Sequence, residues 1–361
     1  MSAFERLPDA PAVLRAPIPE IRRIGIGSAL LHRAVDGTAY IRSLAAAASA
    51  DLIHIQHQYF LFGGVSPLRS HIGAVYGAAR KPLVVTAHEV VSPTGSKLRR
   101  LALTVANRRN FCHHKIRAIV VHTLLDRTRL ESIGVEPSRL HVMRHPVPEP
   151  QPLPDRAAGR ERFGLTNEHT VTIFGFVTAR KGHNLALDML PLLPPDVDLL
   201  FAGGDHPDDH TDTGAKLRAR ILAEGMSARV HITGYLQPSD VPFAMAATDV
   251  AIAPYVEMSG SGSLASLIAY RRPILASNIP PHREIAADGD PCVALAALDS
   301  TPRFAEELRE LIGSPARRAG LTAACASYAD RNSYAAMASR LAALYAQIVA
   351  ASPRRQRASL Q

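Results

Sequence analysis

Four short segments place anion-binding or proton-handling side chains directly after apolar runs. In the first, Gly175-Phe-Val-Thr-Ala-Arg-Lys-Gly182 follows the run VTIFGF and precedes a stretch of helical period. Glycine admits close backbone approach, a helix N-terminus attracts anions, and Arg180 and Lys181 supply positive charge. The segment reads as a pyrophosphate cradle or, more blandly, as a β-turn with exposed basic residues. It is neither a Walker A loop nor a G-x-G-x-x-G turn, so the kinase and dehydrogenase signatures are missing. The second segment, Glu257-Met-Ser-Gly-Ser-Gly-Ser-Leu264, runs into an apolar helical stretch. Gly260, Ser261, Gly262, Ser263 and the Leu264 amide offer backbone and hydroxyl donors at a helix start, which suits a diphosphate. Glu257 is suited to accepting hydrogen bonds from hydroxyl-rich ligands. A plain serine cap after a flexible turn is the alternative. The third, Phe201-Ala-Gly-Gly-Asp205, ends a strand-like run, and Gly203 and Gly204 suit either a nucleotide passing close by or a tight loop.

The fourth is PLVVTAHE, in which His88 ends an apolar run. A histidine at the carboxyl end of a central strand can orient a hydroxyl or shuttle a proton near neutral pH. His54 and His57 lie in IHIQHQYFLFGG, where His54 alternates within its strand and reads as packed. His113 and His114 are adjacent, so on a helix their rings point about 100° apart and make poor joint metal ligands. His206, Asp208, Asp209 and His210 are a denser polar cluster, read as a solvated loop before a metal site. No metal is expected.

Lys97, Arg99, Arg100, Arg108 and Arg109 flank LALTVA. The 97–109 stretch resembles a basic amphipathic helix suited to an anionic membrane surface, or else a solvated helix face. The whole chain has 361 residues and a net charge of +9, from 41 Lys and Arg against 32 Asp and Glu. That balance favours anionic partners, and with few aromatics and no basic low-complexity tract, nucleic acid is the least supported of them. The three cysteines are scattered, and the N-terminus lacks an apolar signal core. No run of about 18 apolar residues is present to span a membrane. A cytoplasmic location follows as the expectation, with peripheral contact at the membrane's inner face through 97–109.

The elements that must hold these residues alternate. Short β-rich runs are DLIHIQ, PLVVTAH, AIVVHT, HVMRH, VTIFGF, DLLFAGG, VHITGY, DVAIAPY and PILAS. Helical stretches near 97–110, 183–193, 212–225, 263–271 and 303–312 lie between them. Such alternation predicts a doubly wound α/β architecture with buried parallel strands. Residues 146–160 contain five prolines, which stiffen a linker and divide the alternation into two halves. The expected organisation is a domain over 1–148, a linker over 149–165, a second domain over 166–333, and a helix over 334–350 with a basic tail. Ligands of open α/β sheets sit beyond the strands' carboxyl ends, so two such halves suggest an enzyme with a site between them.

In order and spacing these pieces resemble the retaining glycosyltransferases of family 4, which have the GT-B fold, over roughly residues 50–345. DLIHIQHQYFLFGG, KPLVVTAHE, IFGFVTARKGHNLAL, HITGYLQPSDVPFAMAATDVAIAPY and SLASLIAYRRPILASNIPPHREI carry the resemblance. It implies transfer of a hexosyl or N-acetylhexosaminyl group from a UDP- or GDP-sugar to an acceptor hydroxyl with retention. The second half would hold the donor. The nucleotide sugar would be a substrate, and no cofactor or metal is implied. The acceptor remains a small molecule, a lipid-linked sugar or a polysaccharide. On this resemblance Lys181 binds the donor phosphates and His88 lies beside the transferred sugar. Gly203, Gly204, Tyr235 and Ser266 fall on the nucleotide side, and His57, Gly63 and Gly64 on the acceptor side. Departures are specific. Phe176 stands where the family has an arginine, and Arg271 where it has a glycine. Counting back from Pro273, the family's acidic pair falls on Ser266 and Met258, one residue from Glu257. GIGSALLHRAVDG at 25–37 is the nearest match to the usual opening strand. Two other readings stay open: a GT-B protein that binds nucleotide or a partner without turnover, and a nucleotide-sugar epimerase, which would need a paired acid set that is not found.

Overall fold

The computed structural model describes residues 50–66, 70–206 and 211–351. The 25–37 segment, Asp208, Asp209, His210 and the basic tail lie outside the described residues. The described chain divides into two compact units. One holds the residues up to Arg144 together with those from Ala335 on, and the other is His145–Tyr334.

In the first unit, β1 (Ile53–His57), β2 (Leu83–Ala87), β3 (Ile116–Val121) and β4 (Leu140–Val142) form a parallel sheet in sequential order. Every residue of β2 is buried, as expected for a strand covered on both faces and written as a continuous apolar run. Ile72, Tyr76, Phe111 and Leu130 pack with alternate residues of β1–β4 on one side of the sheet. Val84, Ala118 and Val120 turn the other way and meet Met337, Leu341 and Leu344 of the last helix, Tyr334–Ala351. Those three recur at helical spacing, so the helix presents one apolar stripe to the sheet. A 15-residue helix, α1 (Lys97–Phe111), connects β2 to β3.

In the second unit the six described strands are β5 (His169–Phe174), β6 (Val197–Ala202), β7 (Val230–Ile232), β8 (Val250–Ala253), β9 (Ile274–Ser277) and β10 (Ala294–Ala296). Their order is β10-β9-β8-β5-β6-β7, all parallel. The chain runs outward from β5 through β6 to β7, then returns to the other side of β5 for β8. The gap between the carboxyl ends of β5 and β8 is therefore a topological switch point, where such sheets bind ligands.

The proline-dense stretch ends at Pro154. Residues Arg156–Arg162, expected within the linker, form a helix instead. Gly159 explains the close docking of that helix, because a Cβ there would lie 2.5 Å from the Phe243 carbonyl oxygen and 2.9 Å from the Ala247 nitrogen.

Candidate functional site

The residues of the second unit's switch point meet side chain to side chain. Gly175 follows β5 at φ +98°, a region costly for any residue with a Cβ. A Cβ there would fall 2.2 Å from Ser263 Oγ and 2.3 Å from Lys181 Nζ. Glycine is thus required to let these two side chains converge. Lys181 Nζ donates to the Phe174 carbonyl at 2.9 Å and to Ser263 Oγ at 2.7 Å, and it lies 5.7 Å from the Tyr255 ring centroid. Burial, and then the neighbouring Arg180 charge, lower the Lys181 pKa to about 8. Gly182, at φ +75°, turns the chain into α2 (His183–Met189), and its missing Cβ leaves room for the Pro254 carbonyl beyond β8. The Val256 amide donates to the Arg180 carbonyl at 3.0 Å, which joins the two loops.

Ser261 caps α3 (Gly262–Ala269) by accepting from the Leu264 amide at 3.1 Å. That amide is committed to the cap. Gly260, Gly262 and Ser263 remain the serine- and glycine-rich elements at the helix start, where the peptide dipoles favour negative charge. Ser266, at the expected ribose position, donates from Oγ to the Gly262 carbonyl at 2.9 Å within its own helix. Glu257 is exposed, whereas Met258 is buried in the core with Leu264 and Leu267.

Gly203 and Gly204 are explained by packing. A Cβ on Gly203 would lie 2.2 Å from the Gly175 carbonyl oxygen, and one on Gly204 would lie 2.6 Å from the Tyr235 nitrogen. Beside them three rings cluster beyond β5, β6 and β7. Phe176 stacks on Tyr235 at 6.2 Å and meets His206 edge-on at 5.1 Å, while Tyr235 is 65% exposed. Phe176 had registered in the sequence only as a missing arginine, yet an aromatic residue after a central strand end is itself a signal for a stacking surface.

In the first unit His88 follows β2. Its Nε2 lies 2.8 Å from Gln56 Oε1, and its Nδ1 lies 3.3 Å from His122 Nε2. His122 is buried, with Nδ1 2.9 Å from the Met143 carbonyl. A carbonyl only accepts, so His122 carries its proton on Nδ1. Gln56 Oε1 also only accepts, so His88 carries its proton on Nε2, and the facing His88 Nδ1 and His122 Nε2 share a proton only when the pair takes one up. Sequence reading missed His122. Its signal was register: Ala87 pairs with Val121, so the two histidines are the next residues on adjacent parallel strands. His57, assigned to the acceptor side, is 0% exposed. It bonds Asn110 Oδ1 at 2.7 Å and stacks on Phe62, which makes it part of the core because β1 turns that face inward. His54, read as packed, does pack edge-on against Tyr345, and it hydrogen-bonds Tyr345 and Thr86 Oγ1. Gly63 and Gly64 both have positive φ and turn the chain after the Tyr59–Phe62 helical turn. Among the described residues, Glu168, His169 and Asp196 bring possible metal-ligand atoms within 4.8 Å of one another, at the amino ends of β5 and β6 and thus at the opposite edge from the switch point.

Residues 168–314 match the family model described as Glycosyl transferases group 1. An alpha-D-kanosaminyltransferase of Streptomyces kanamyceticus is 25% identical over 199 residues, covering 54% of this chain and 49% of the relative. A UDP-N-acetylglucosamine–N-acetylmuramyl-(pentapeptide) pyrophosphoryl-undecaprenol N-acetylglucosamine transferase of Sorangium cellulosum is 32% identical over 143 residues, covering 36% and 33%. The chain therefore spans half or less of the length of these curated relatives. Among solved structures, Anabaena HepE in complex with UDP aligns with a TM-score of 0.70 at 19% identity, over 86% of this chain and 82% of that one. The sucrose-phosphate synthase of Thermosynechococcus elongatus aligns with a TM-score of 0.72 at 15% identity, over 97% and 88%. The chain has the GT-B fold.

Proposed function

We propose, from the GT-B fold and the residues gathered at its second switch point, that the protein is a retaining glycosyltransferase that takes a UDP-sugar. The observation that carries the reading is the convergence of Lys181, Ser263 and the Cβ-free Gly175 beside the start of α3. A half-buried ammonium facing a helix start suits a diphosphate, and its charge matters most as the bond from the anomeric carbon to the phosphate oxygen breaks. The acceptor hydroxyl oxygen forms the new bond on the same face and gives its proton to the departing phosphate oxygen. The Phe176–His206–Tyr235 cluster is assigned to the base, since an aromatic surface binds a pyrimidine face without needing a specific acid. His88 is assigned to the chemical step. No metal or cofactor is needed in this scheme. UDP is favoured over GDP because a solved structure with the same fold holds UDP and a curated relative's name specifies a UDP-sugar. That second name also specifies a lipid-linked acceptor, which supports the same class here.

Calorimetry with UDP, GDP and ADP, followed by turnover with the matching sugars, tests the proposal. UDP should bind the intact protein, and Lys181→Ala should weaken it by about 2 kcal/mol or more, a charge-assisted contact being lost. Unchanged affinity in that variant removes Lys181 from the phosphate site. A second reading, binding without turnover, is favoured by one observation: Ser266 spends its hydroxyl on its own helix where the family places an acid. UDP binding with no transfer from any donor would favour it.

A further inference from the structure

The helix α1 is packed on one face only. Ala106, Asn107, Asn110 and Phe111 are buried, and Asn107 Nδ2 donates to the Val91 carbonyl at 2.9 Å. The first two turns project outward. Leu98 is 81% exposed, Leu101 62% and Val105 43%. At 100° per residue these three form a single stripe opposite the buried face, with Ala102 beside them. Lys97 and Arg108 border the stripe on one side and Arg99 on the other, and Arg100 lies in the same exposed turns. From Val90 to Leu125 the chain has seven Lys or Arg and no Asp or Glu.

We propose that α1 docks on the surface of an anionic phospholipid bilayer, with Leu98, Leu101 and Val105 entering the headgroup region and the flanking cations contacting lipid phosphates. Charge alone would also suit an acidic protein. Leucines standing out between cations suit a bilayer interface better, because it offers apolar chains beneath a layer of negative charge. The chain supplies no acidic segment of its own to cover the helix: residues 1–49 carry six Arg and four Asp or Glu, and the whole chain is at +9. Among the described residues no helix is long and apolar enough to cross a membrane, so this contact would be interfacial. The inference rests on the transferase reading only for its purpose, which is to bring acceptor hydroxyls held at a lipid surface to the enzyme.

Flotation of the full 361-residue chain with phosphatidylcholine vesicles, with and without phosphatidylglycerol, tests the docking. Binding is expected only with phosphatidylglycerol and should weaken as salt rises. Leu98→Ser with Leu101→Ser should lower it roughly 10- to 100-fold. Neither side chain packs in the core, so the fold should survive. Leu222→Ser, at a residue 75% exposed on the other unit, should leave binding unchanged. An intact chain that ignores anionic vesicles, a double variant that binds as tightly as the parent, or capture of an acidic protein by α1 without vesicle binding would each overturn the proposal. UDP calorimetry on the same samples separates the two readings: lost UDP affinity counts against the transferase, and lost flotation against the docking.

Discussion

Under the proposed reading Lys181 meets a diphosphate as a cation, and its depressed pKa makes that charge sensitive to pH. Burial first and Arg180 second lower it to about 8. Below that pH the ammonium is present, and above it the proton leaves and the attraction to phosphate goes with it. UDP affinity is therefore expected to be flat below about pH 7 and to fall by up to about tenfold per pH unit above 8. Arg180→Ala removes a repelling charge, so the fall should move to higher pH; calorimetry across the range reads both curves, and a profile flat through pH 9 would exclude Lys181 as the titrating group. His88 raises a different question, that of orientation. Its Nε2–H donates to Gln56 Oε1, and its Nδ1 faces Nε2 of His122, whose Nδ1 proton is held by the Met143 carbonyl. Under the proposed reading His88→Ala lowers kcat by a larger factor than it lowers donor affinity. His122→Phe should do the same more mildly and alter the pH–rate profile, because it removes the ring nitrogen that His88 Nδ1 faces; steady-state kinetics against donor concentration distinguish these from loss of binding. The residues that the sequence singled out were those whose type alone is informative, such as Lys181, His88 and the serines around the start of α3. His57 was misread because one residue of register decides whether a strand histidine faces the core.

At the scale of elements, α3 both stabilises the second unit and forms part of its candidate site. Ser261 caps it through the Leu264 amide, as Ser300 caps the helix Thr301–Gly313 through the Arg303 amide. Removing either cap should cost about 1 kcal/mol, or roughly 2–4 °C in melting temperature for a unit of this size. Only Ser261→Ala should also weaken UDP, since only that helix starts beside Lys181 and Gly175. Differential scanning fluorimetry with and without UDP tests this, and equal UDP shifts in both variants would count against α3 as part of the donor site. Strand positions were legible because buried parallel strands are written as unbroken apolar runs between turn residues, as in PLVVTAH and DLLFAGG. The helix at Arg156–Arg162 was hidden by prolines that end just before it, and β10 by its three-residue length.

At the scale of the molecule, the two units carry separate groups: His88 and His122 in one, and Lys181, Gly175 and Ser263 in the other. UDP at about a hundred times its Kd adds about 2.7 kcal/mol to the state that binds it. Hydrogen exchange should show this protection in His145–Tyr334, strongest near 175–182 and 256–264, with amides of β1–β4 unchanged by UDP alone. Protection confined to β1–β4 would place the nucleotide in the other unit. The amino-acid sequence by itself determined the α/β alternation, the two sheets and the loops that follow their strands, because hydrophobic period and turn residues are local properties. Only the tertiary structure decided which of those loops converge. Gly175 accepts φ +98° because Ser263, 88 residues later, needs the space its Cβ would take. His88 finds His122 because β2 and β3 lie side by side in register. Those pairings are set by strand order and packing, which no local pattern of residues encodes.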